Sequence, residues 1–101
     1  MLYLWAEWIH DEAKEPVLLI SELDGDRYEV RKVQVYRDGR AAWADGGHET
    51  DEIGLGEVAV PSLEFINEQA EFRAWYGSSE DFEVVWQAAK ESGRYEVGRP
   101  R

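Results

Sequence analysis

The turn dipeptide Asp38-Gly39 is the local signal that most constrains how this chain can fold. Val33 and Val35 alternate with polar residues before it, and a second apolar segment, residues 40–44, follows it. Aspartate and glycine tolerate the positive φ angles of a two-residue type I′ turn, whose twist matches that of paired strands. The sequence therefore predicts an antiparallel hairpin with arms at residues 28–37 and 40–44.

Two more strands are indicated nearer the amino terminus. Residues 2–10 are rich in aromatic and aliphatic side chains and are followed by a charged loop, which is typical of a strand. Pro16 fits the start of a strand because it cannot donate to a ladder, and the apolar run Val17-Leu18-Leu19-Ile20 follows it. Asp24-Gly25-Asp26 supplies turn residues, so we expect the chain to reverse within residues 21–27.

The apolar residues of the third strand change phase along its length. Tyr28 and Val30 share one parity, whereas Val33 and Val35 share the other. Because side chains alternate between the two faces of a strand, both pairs can point inward only if a bulge or bend intervenes. We expect that irregularity at Arg31-Lys32.

Two helices are predicted in the second half of the chain. Ser78 or Ser79 can cap a helix at residues 80–91, and Gly93 can stop it. The apolar residues of this segment follow the spacing of one helix face: Phe82, Val85, Trp86 and Ala89. Pro61-Ser62 indicates a shorter helix that runs to about residue 69. A last short strand is predicted between the helices, at residues 72–76.

These elements predict an α+β fold in a single domain, residues 1–92. Consecutive hairpin-like strands form an antiparallel β-sheet, and we expect the C-terminal α-helix and the short helix to pack on one face of it. A chain of 101 residues is near the usual size of one domain. After residue 92 the composition shifts to Gly, Arg and Pro, so we expect residues 93–101 to form a basic, flexible tail.

The net charge of −11 restricts the partners that the chain can have. The tail carries +2, which leaves −13 on residues 1–92. Such a surface repels nucleic-acid phosphates and anionic lipids, and it attracts basic proteins. We therefore expect a basic protein partner, and neither direct nucleic-acid binding nor membrane binding. The oligomeric state is left open.

Cysteine usage and hydropathy narrow the cellular setting. The chain has no Cys, which excludes disulfides, thiolate metal sites and cysteine nucleophiles. Its apolar amino terminus is interrupted by Glu7 and lacks the basic region of a signal peptide. No segment reaches the roughly 18 uninterrupted apolar residues of a membrane span. We expect a soluble, cytoplasmic protein.

Catalytic chemistry has few candidate residues here. The two histidines are His10, which is followed by two carboxylates, and His48, which opens the acidic segment 48–52. Neither lies in an HExxH or EF-hand pattern, and Gly54-Leu55-Gly56 lacks the rest of a phosphate-binding loop. We expect no catalytic residue, no metal and no cofactor. The alternative is a small acid–base or metal-dependent enzyme that uses His10, His48 and nearby carboxylates.

A family signature runs through most of the predicted domain. Residues 21–33 read Ser-Glu-Leu-Asp-Gly-Asp-Arg-Tyr-Glu-Val-Arg-Lys-Val, and the signature continues at residues 36–39, 61–64 and 82–86. This pattern resembles a family of short, uncharacterised bacterial proteins. Proteins of this size and acidity look like the immunity partners of bacterial toxins. The resemblance therefore implies a non-catalytic, protein-binding immunity protein that neutralises a cognate toxin.

The residues expected to contact the partner combine acidic and aromatic side chains. Like charges crowd the turn after the second strand, where they serve the fold poorly, and Trp and Tyr are the residues that most often anchor interfaces. Trp5 and Trp8 have opposite parity, so we expect one in the core and one at the surface. The candidates are Trp8, Glu22, Asp24, Asp26, Trp43, Trp75 and Tyr76. A further alternative is an acidic mimic of nucleic acid, which would bind many basic proteins.

Overall fold

A five-stranded antiparallel sheet forms the centre of residues 1–96, the part of the chain that the computed structural model describes. Its strands are β1 (Leu2–Trp8), β2 (Leu18–Leu23), β3 (Glu29–Val35), β4 (Ala41–Ala44) and β5 (Phe72–Gly77). The strand order is β4-β3-β2-β1-β5, so β4 and β5 are the edges. Helix α1 (Leu63–Asn67) precedes β5, and helix α2 (Ser79–Ser92) follows it. The predicted α+β class is confirmed.

The sheet is covered on both faces. Helix α2 contacts β3 and β4 and completes a core that includes Trp5 and Val33. Helix α1 contacts β5 and adds Ile66 to a second core that includes Leu4. Leu4 and Trp5 are neighbours on β1, so the two cores lie on opposite sides, the α1 face and the α2 face. The short helix was expected on the same face as α2. It lies on the other face because the apolar side chains there need a cover of their own.

A bulge in β3 assigns its residues to these two faces. Glu22 pairs with Arg31, but Leu23 pairs with Glu29, which leaves Val30 as the extra residue. Arg31 therefore lies on the α2 face and Glu29 on the α1 face. The irregularity that the change of phase predicts is present, one residue before its expected place.

Both hairpins that involve β3 close through three-residue loops. Gly39 donates to the carbonyl oxygen of Tyr36 at 2.9 Å and has a φ of 92°. The backbone N–H of Arg27 donates to the carbonyl oxygen of Asp24 at 3.0 Å, and Arg27 has a φ of 68°. Each loop is thus a type I turn followed by a left-handed residue. The predicted two-residue type I′ turn at Asp38-Gly39 is wrong, because Asp38 keeps a negative φ.

Helix α2 has the ends that the sequence predicts. Ser78 Oγ accepts a hydrogen bond from the Asp81 N–H at 3.1 Å, and Gly93 ends the helix with a φ of 68°. The short helix begins in the same way, with the Ser62 side chain accepting from the Phe65 N–H. Among the described residues, no helix is both long enough and apolar enough to span a bilayer.

The chain after α2 returns to the β3–β4 hairpin. Ala41 donates to the carbonyl oxygen of Gly93 at 2.8 Å, and Tyr95 donates to that of Gly39 at 2.9 Å. Residues 93–96 of the expected tail therefore lie against the hairpin. Residues 97–101 lie outside the described residues.

A polar network ties β1, β2 and β3 to α2. Arg31 Nε donates to Glu22 Oε1 at 2.6 Å, and Arg31 Nη2 donates to Glu83 Oε2 at 2.5 Å. Tyr3 Oη donates to Glu22 Oε2 at 3.0 Å. The hydrogen bonds from Arg31 lower the pKa of Glu22, because they favour its charged form.

The substitution Glu22→Gln should lower the free energy of unfolding by about 1–3 kcal/mol near neutral pH, because Arg31 loses its most buried partner. The folded pKa of Glu22 is lowered, so its contribution is present above the unfolded value of about 4.3 and is lost as pH falls through the folded value. Urea titrations at falling pH should therefore show the difference between variant and wild type narrowing. Glu83→Gln removes an exposed partner and should cost less than about 1 kcal/mol. Equal losses for the two variants would contradict this account.

Glycine is expected to be required at position 77, because the buried Trp5 leaves no room there for a side chain. A Cβ at position 77 would lie 2.5 Å from Trp5 Nε1, and the indole is 8% exposed and stacked on Trp75. Gly77→Ala should therefore cost about 1–3 kcal/mol of the free energy of unfolding, as other overpacking changes do. Gly25→Ala is the matched control, since its added carbon meets no atom within 4 Å. Thermal denaturation of both variants makes the comparison, and a neutral Gly77→Ala would show that Trp5 can be displaced without loss.

Candidate protein-binding surface

Glu22 lies in the interior, apart from the exposed part of the turn that follows it. It is 6% exposed, and its two carboxylate oxygens accept hydrogen bonds from Arg31 and Tyr3. A partner could reach this carboxylate only if the network under α2 opened. Its position indicates a role in holding the sheet to the helix.

Trp8 and Trp43 are half-buried in two separate aromatic clusters. The Trp43 ring centroid is 3.7 Å from that of His48 and 5.4 Å from that of Trp86. The Trp8 ring stacks on Phe72, with the centroids 5.9 Å apart. Both rings therefore pack against other aromatic side chains. Trp43 does so on the edge strand β4, and Trp8 does so where β1 meets β5.

The acidic turn between β2 and β3 is shaped by one of its own carboxylates. Asp24 Oδ1 accepts from the Asp26 N–H at 2.9 Å and from the Tyr28 N–H at 3.0 Å. This arrangement fixes the turn and leaves the Asp26 side chain exposed. Within residues 1–96, no Lys or Arg forms a salt bridge with Asp24 or Asp26. The turn therefore presents two carboxylates without a salt-bridge partner, beside the single positive charge of Arg27.

Arg27 joins this turn to β5 and to the loop before α1. Its Nη1 donates to Tyr76 Oη at 2.9 Å, its Nε to the Val60 carbonyl oxygen at 2.8 Å and its Nη2 to that of Pro61 at 2.6 Å. Val60 N–H donates in return to the Arg27 carbonyl oxygen at 2.8 Å. A left-handed conformation costs a residue with a Cβ about 1–2 kcal/mol. These contacts hold Arg27 in that conformation, where the equivalent loop uses Gly39.

The turn and the edge strand thus form one continuous patch, which we call the turn surface. Tyr76 is 41% exposed, so an aromatic ring accompanies the acidic groups. The patch combines residues that are far apart in the sequence. The turn surface consists of Asp24, Asp26, Arg27 and Tyr76.

The two candidate aromatic residues of β5 lie on opposite faces of the sheet. Trp75 stacks on Trp5 on the α2 face, whereas Tyr76 belongs to the turn surface on the α1 face. The outer edge between them is partly closed. Asn67 Nδ2 donates to the Ala74 carbonyl oxygen at 2.9 Å, and Asn67 Oδ1 accepts from the Ala74 N–H at 2.7 Å. The backbone of Ala74 is therefore closed to a partner strand at this edge.

The two histidines lie apart. His10 follows β1 and His48 follows β4, and three strand spacings separate these strands, about 14 Å. His10 Nε2 donates to the Pro16 carbonyl oxygen at 2.8 Å, and Nδ1 accepts from the Glu12 N–H at 2.9 Å. In the part of the chain that the structure describes, no three His, Asp or Glu residues are grouped so as to hold a metal ion. The described residues do not assemble the His10–His48 site that the enzyme alternative needs.

Arg27 is the functional candidate that sequence reasoning missed. Its importance comes from its positive φ and its contacts with Val60, Pro61 and Tyr76, none of which a residue pattern predicts. The one available signal is the likeness of the two loops, since Arg27 occupies the position that Gly39 has in the next hairpin.

Two substitutions of Arg27 separate its backbone strain from its side-chain contacts. Both Arg27→Gly and Arg27→Ala remove the hydrogen bonds to Val60, Pro61 and Tyr76, but glycine tolerates the positive φ and alanine does not. We expect Arg27→Ala to be the less stable variant by about 1 kcal/mol in urea titrations. Hydrogen exchange of the Val60 amide should become faster in both variants. Equal stabilities would mean that the loop takes another conformation once the guanidinium is gone.

Comparison with known proteins identifies a family without an assigned activity. The family model described as "Domain of unknown function (DUF6881)" matches residues 2–91. No curated protein and no solved structure matches the chain. The match covers most of the predicted domain, which confirms the resemblance to an uncharacterised family. The chain therefore belongs to the DUF6881 family of domains of unknown function.

Proposed function

We propose that this domain is a non-catalytic immunity protein that binds a basic bacterial toxin through the turn surface and neutralises it. The observation that carries the proposal is the link made by Arg27. Its guanidinium links the turn that carries Asp24 and Asp26 to the hydroxyl of the exposed Tyr76. Neither group alone indicates a binding site, but together they offer a basic partner both charge and an aromatic anchor.

Electrostatics favours a basic partner over other classes. The chain carries a net charge of −11, and the carboxylates of Asp24 and Asp26 have no salt-bridge partner within residues 1–96. Long-range attraction between such a surface and a basic protein raises association rates by about 10- to 1,000-fold at low salt. A toxin that acts on nucleic acid or nucleotides needs a basic substrate site, and an acidic patch can occlude such a site.

The aromatic side chains supply what charge alone does not. Tyr76 is 41% exposed, and Val58, close in sequence to the Arg27 contact at Val60, is 75% exposed. Tyrosine at the centre of an interface often carries a large share of the binding free energy. A specific inhibitor should therefore keep much of its affinity when salt screens the charges. An acidic mimic of nucleic acid should lose its affinity.

Co-expression with the product of the neighbouring gene tests the proposal. We expect the two proteins to co-purify and the domain to relieve the toxicity of its neighbour. Tyr76→Ala should weaken binding by at least about thirtyfold, as the loss of an interface anchor does. Asp24→Asn with Asp26→Asn should slow association and flatten its salt dependence, because the double variant removes two negative charges. The turn should keep its shape, since asparagine retains the oxygen acceptor that Asp24 uses there.

The matched control is Asp51→Asn with Glu91→Gln, which removes the same charge from exposed sites elsewhere in the chain. This pair should leave affinity nearly unchanged if the turn surface is the site. If both pairs have the same effect, net charge alone drives binding and the nucleic-acid mimic is the better account. If the neighbouring protein neither binds nor is neutralised, the proposal fails.

A further inference from the structure

A groove on the α2 face opens beside Trp75, on the side of β5 opposite the turn surface. Its volume is about 550 Å3, and its lining includes Trp5, Glu7, Leu18, Arg37, Trp75 and Tyr95. We call it the Trp75 groove. The Trp5 and Trp75 rings are near parallel, 18° apart in plane, with centroids separated by 6.3 Å. Trp5 is buried and forms the floor, whereas Trp75 is 42% exposed.

Cations of this protein cover several of its other aromatic rings. The guanidinium of Arg31 lies 4.8 Å from the Phe82 centroid, and that of Arg40 lies 4.0 Å from the Tyr36 centroid. Lys90 Nζ lies 5.2 Å from the Trp43 centroid. Within residues 1–96 no Lys or Arg lies over Trp75, although indole is the ring that binds cations best.

A carboxylate lies close to this uncovered ring. Glu7 pairs across the strands with Arg73, and Trp5 pairs with Trp75, so Glu7 is a diagonal neighbour of Trp75. The Glu7 side chain is 47% exposed, and its oxygen is 3.6 Å from Arg73 Nη1. An exposed pair at that distance is weak, so a second cation can replace Arg73.

The arginine in the lining, Arg37, is directed elsewhere. Arg37 Nη2 donates to the carbonyl oxygen of His10 at 2.6 Å, at the end of β1. The part of the groove between Trp75 and Glu7 therefore offers a π face and a carboxylate. Both favour a cation, and the net charge of −11 favours one further.

We infer that the Trp75 groove receives an arginine side chain of the basic partner, stacked on Trp75 and paired with Glu7. Arginine fits better than lysine because its planar guanidinium can stack on an indole while it donates to a carboxylate. The inference rests on the proposed function, since the partner supplies the arginine. A partner that spans the β5 edge reaches both Trp75 and Tyr76, which are consecutive residues on opposite faces.

The groove can be tested without the partner. N-acetyl-arginine amide is titrated into the full ¹⁵N-labelled chain, with N-acetyl-citrulline amide as the neutral isostere, while the indole N–H signals of Trp5 and Trp75 are followed by NMR. We expect saturable shifts with arginine, and binding about two- to fivefold weaker with citrulline. Trp75→Phe should weaken arginine binding and preserve the fold better than Trp75→Ala. Tyr76→Phe, on the opposite face of β5, should leave binding of the arginine probe unchanged.

Two surface variants decide the sign of the charge that the groove prefers. Glu7→Gln should weaken binding of the arginine probe, whereas Arg73→Gln should strengthen it, because Arg73 competes for Glu7. An anionic occupant predicts the reverse. Weaker binding in Arg73→Gln, or tighter binding of N-acetyl-glutamate amide than of the arginine probe, would overturn the inference.

The same variants separate this inference from the proposed function. If the partner binds and Tyr76→Ala weakens it, but Trp75→Phe and Glu7→Gln do not, the proposed function stands and the groove has no part in it. If the arginine probe binds at Trp75 while the neighbouring protein does not bind at all, the groove is a cation site and the proposed function fails. If Tyr76→Ala weakens partner binding and Trp75→Phe and Glu7→Gln weaken it too, the result supports both the proposed function and the role of the groove.

Discussion

The bulge at Val30 is the constraint on which the rest of this structure depends. It directs Arg31 toward α2 and Glu29 toward the opposite face. Glu29 then accepts from the Gly56 N–H at 2.7 Å and from Ser21 Oγ at 3.0 Å, which anchors the loop before α1. That loop supplies the carbonyl groups of Val60 and Pro61 that hold Arg27. The turn surface is therefore a consequence of how β3 changes faces.

Backbone strain and contacts between distant segments are connected at Arg27. A left-handed arginine persists because its backbone and side chain bond to two other segments, the loop before α1 and β5. The same bonds bring Tyr76 to the acidic turn. Trp75 and Tyr76 lie on opposite faces of β5, and Asn67 occupies the backbone of Ala74 at the outer edge. At Ala74 the edge is thus closed to strand addition.

Much of the fold can be predicted from local patterns. The strands, the α2 helix with its Ser78 cap and Gly93 stop, and the existence of a bulge in β3 follow from periodicity and from residues with special backbone preferences. The candidate site was less predictable. Asp24, Asp26, Trp75 and Tyr76 are exposed or partly exposed as surface candidates need to be, but Glu22 is buried in a salt bridge and Trp43 lies against other rings. Composition indicates charge and aromatic content, and it does not indicate which carboxylate meets an arginine.

The sequence by itself determined the elements, because periodicity, capping residues and turn residues act over a few positions along the chain. It also determined the net charge of −11, on which the proposal of a basic partner rests. The tertiary structure alone decided that α1 covers the second face, that Arg27 takes a left-handed conformation, and that Arg27 links the acidic turn to Tyr76. Each of these depends on contacts between segments more than 30 residues apart, such as the contact of Arg27 with Val60, which are separated by 33 positions. Such contacts leave no periodic pattern in the sequence, since their energy comes from packing and hydrogen bonds that exist only after the sheet has formed.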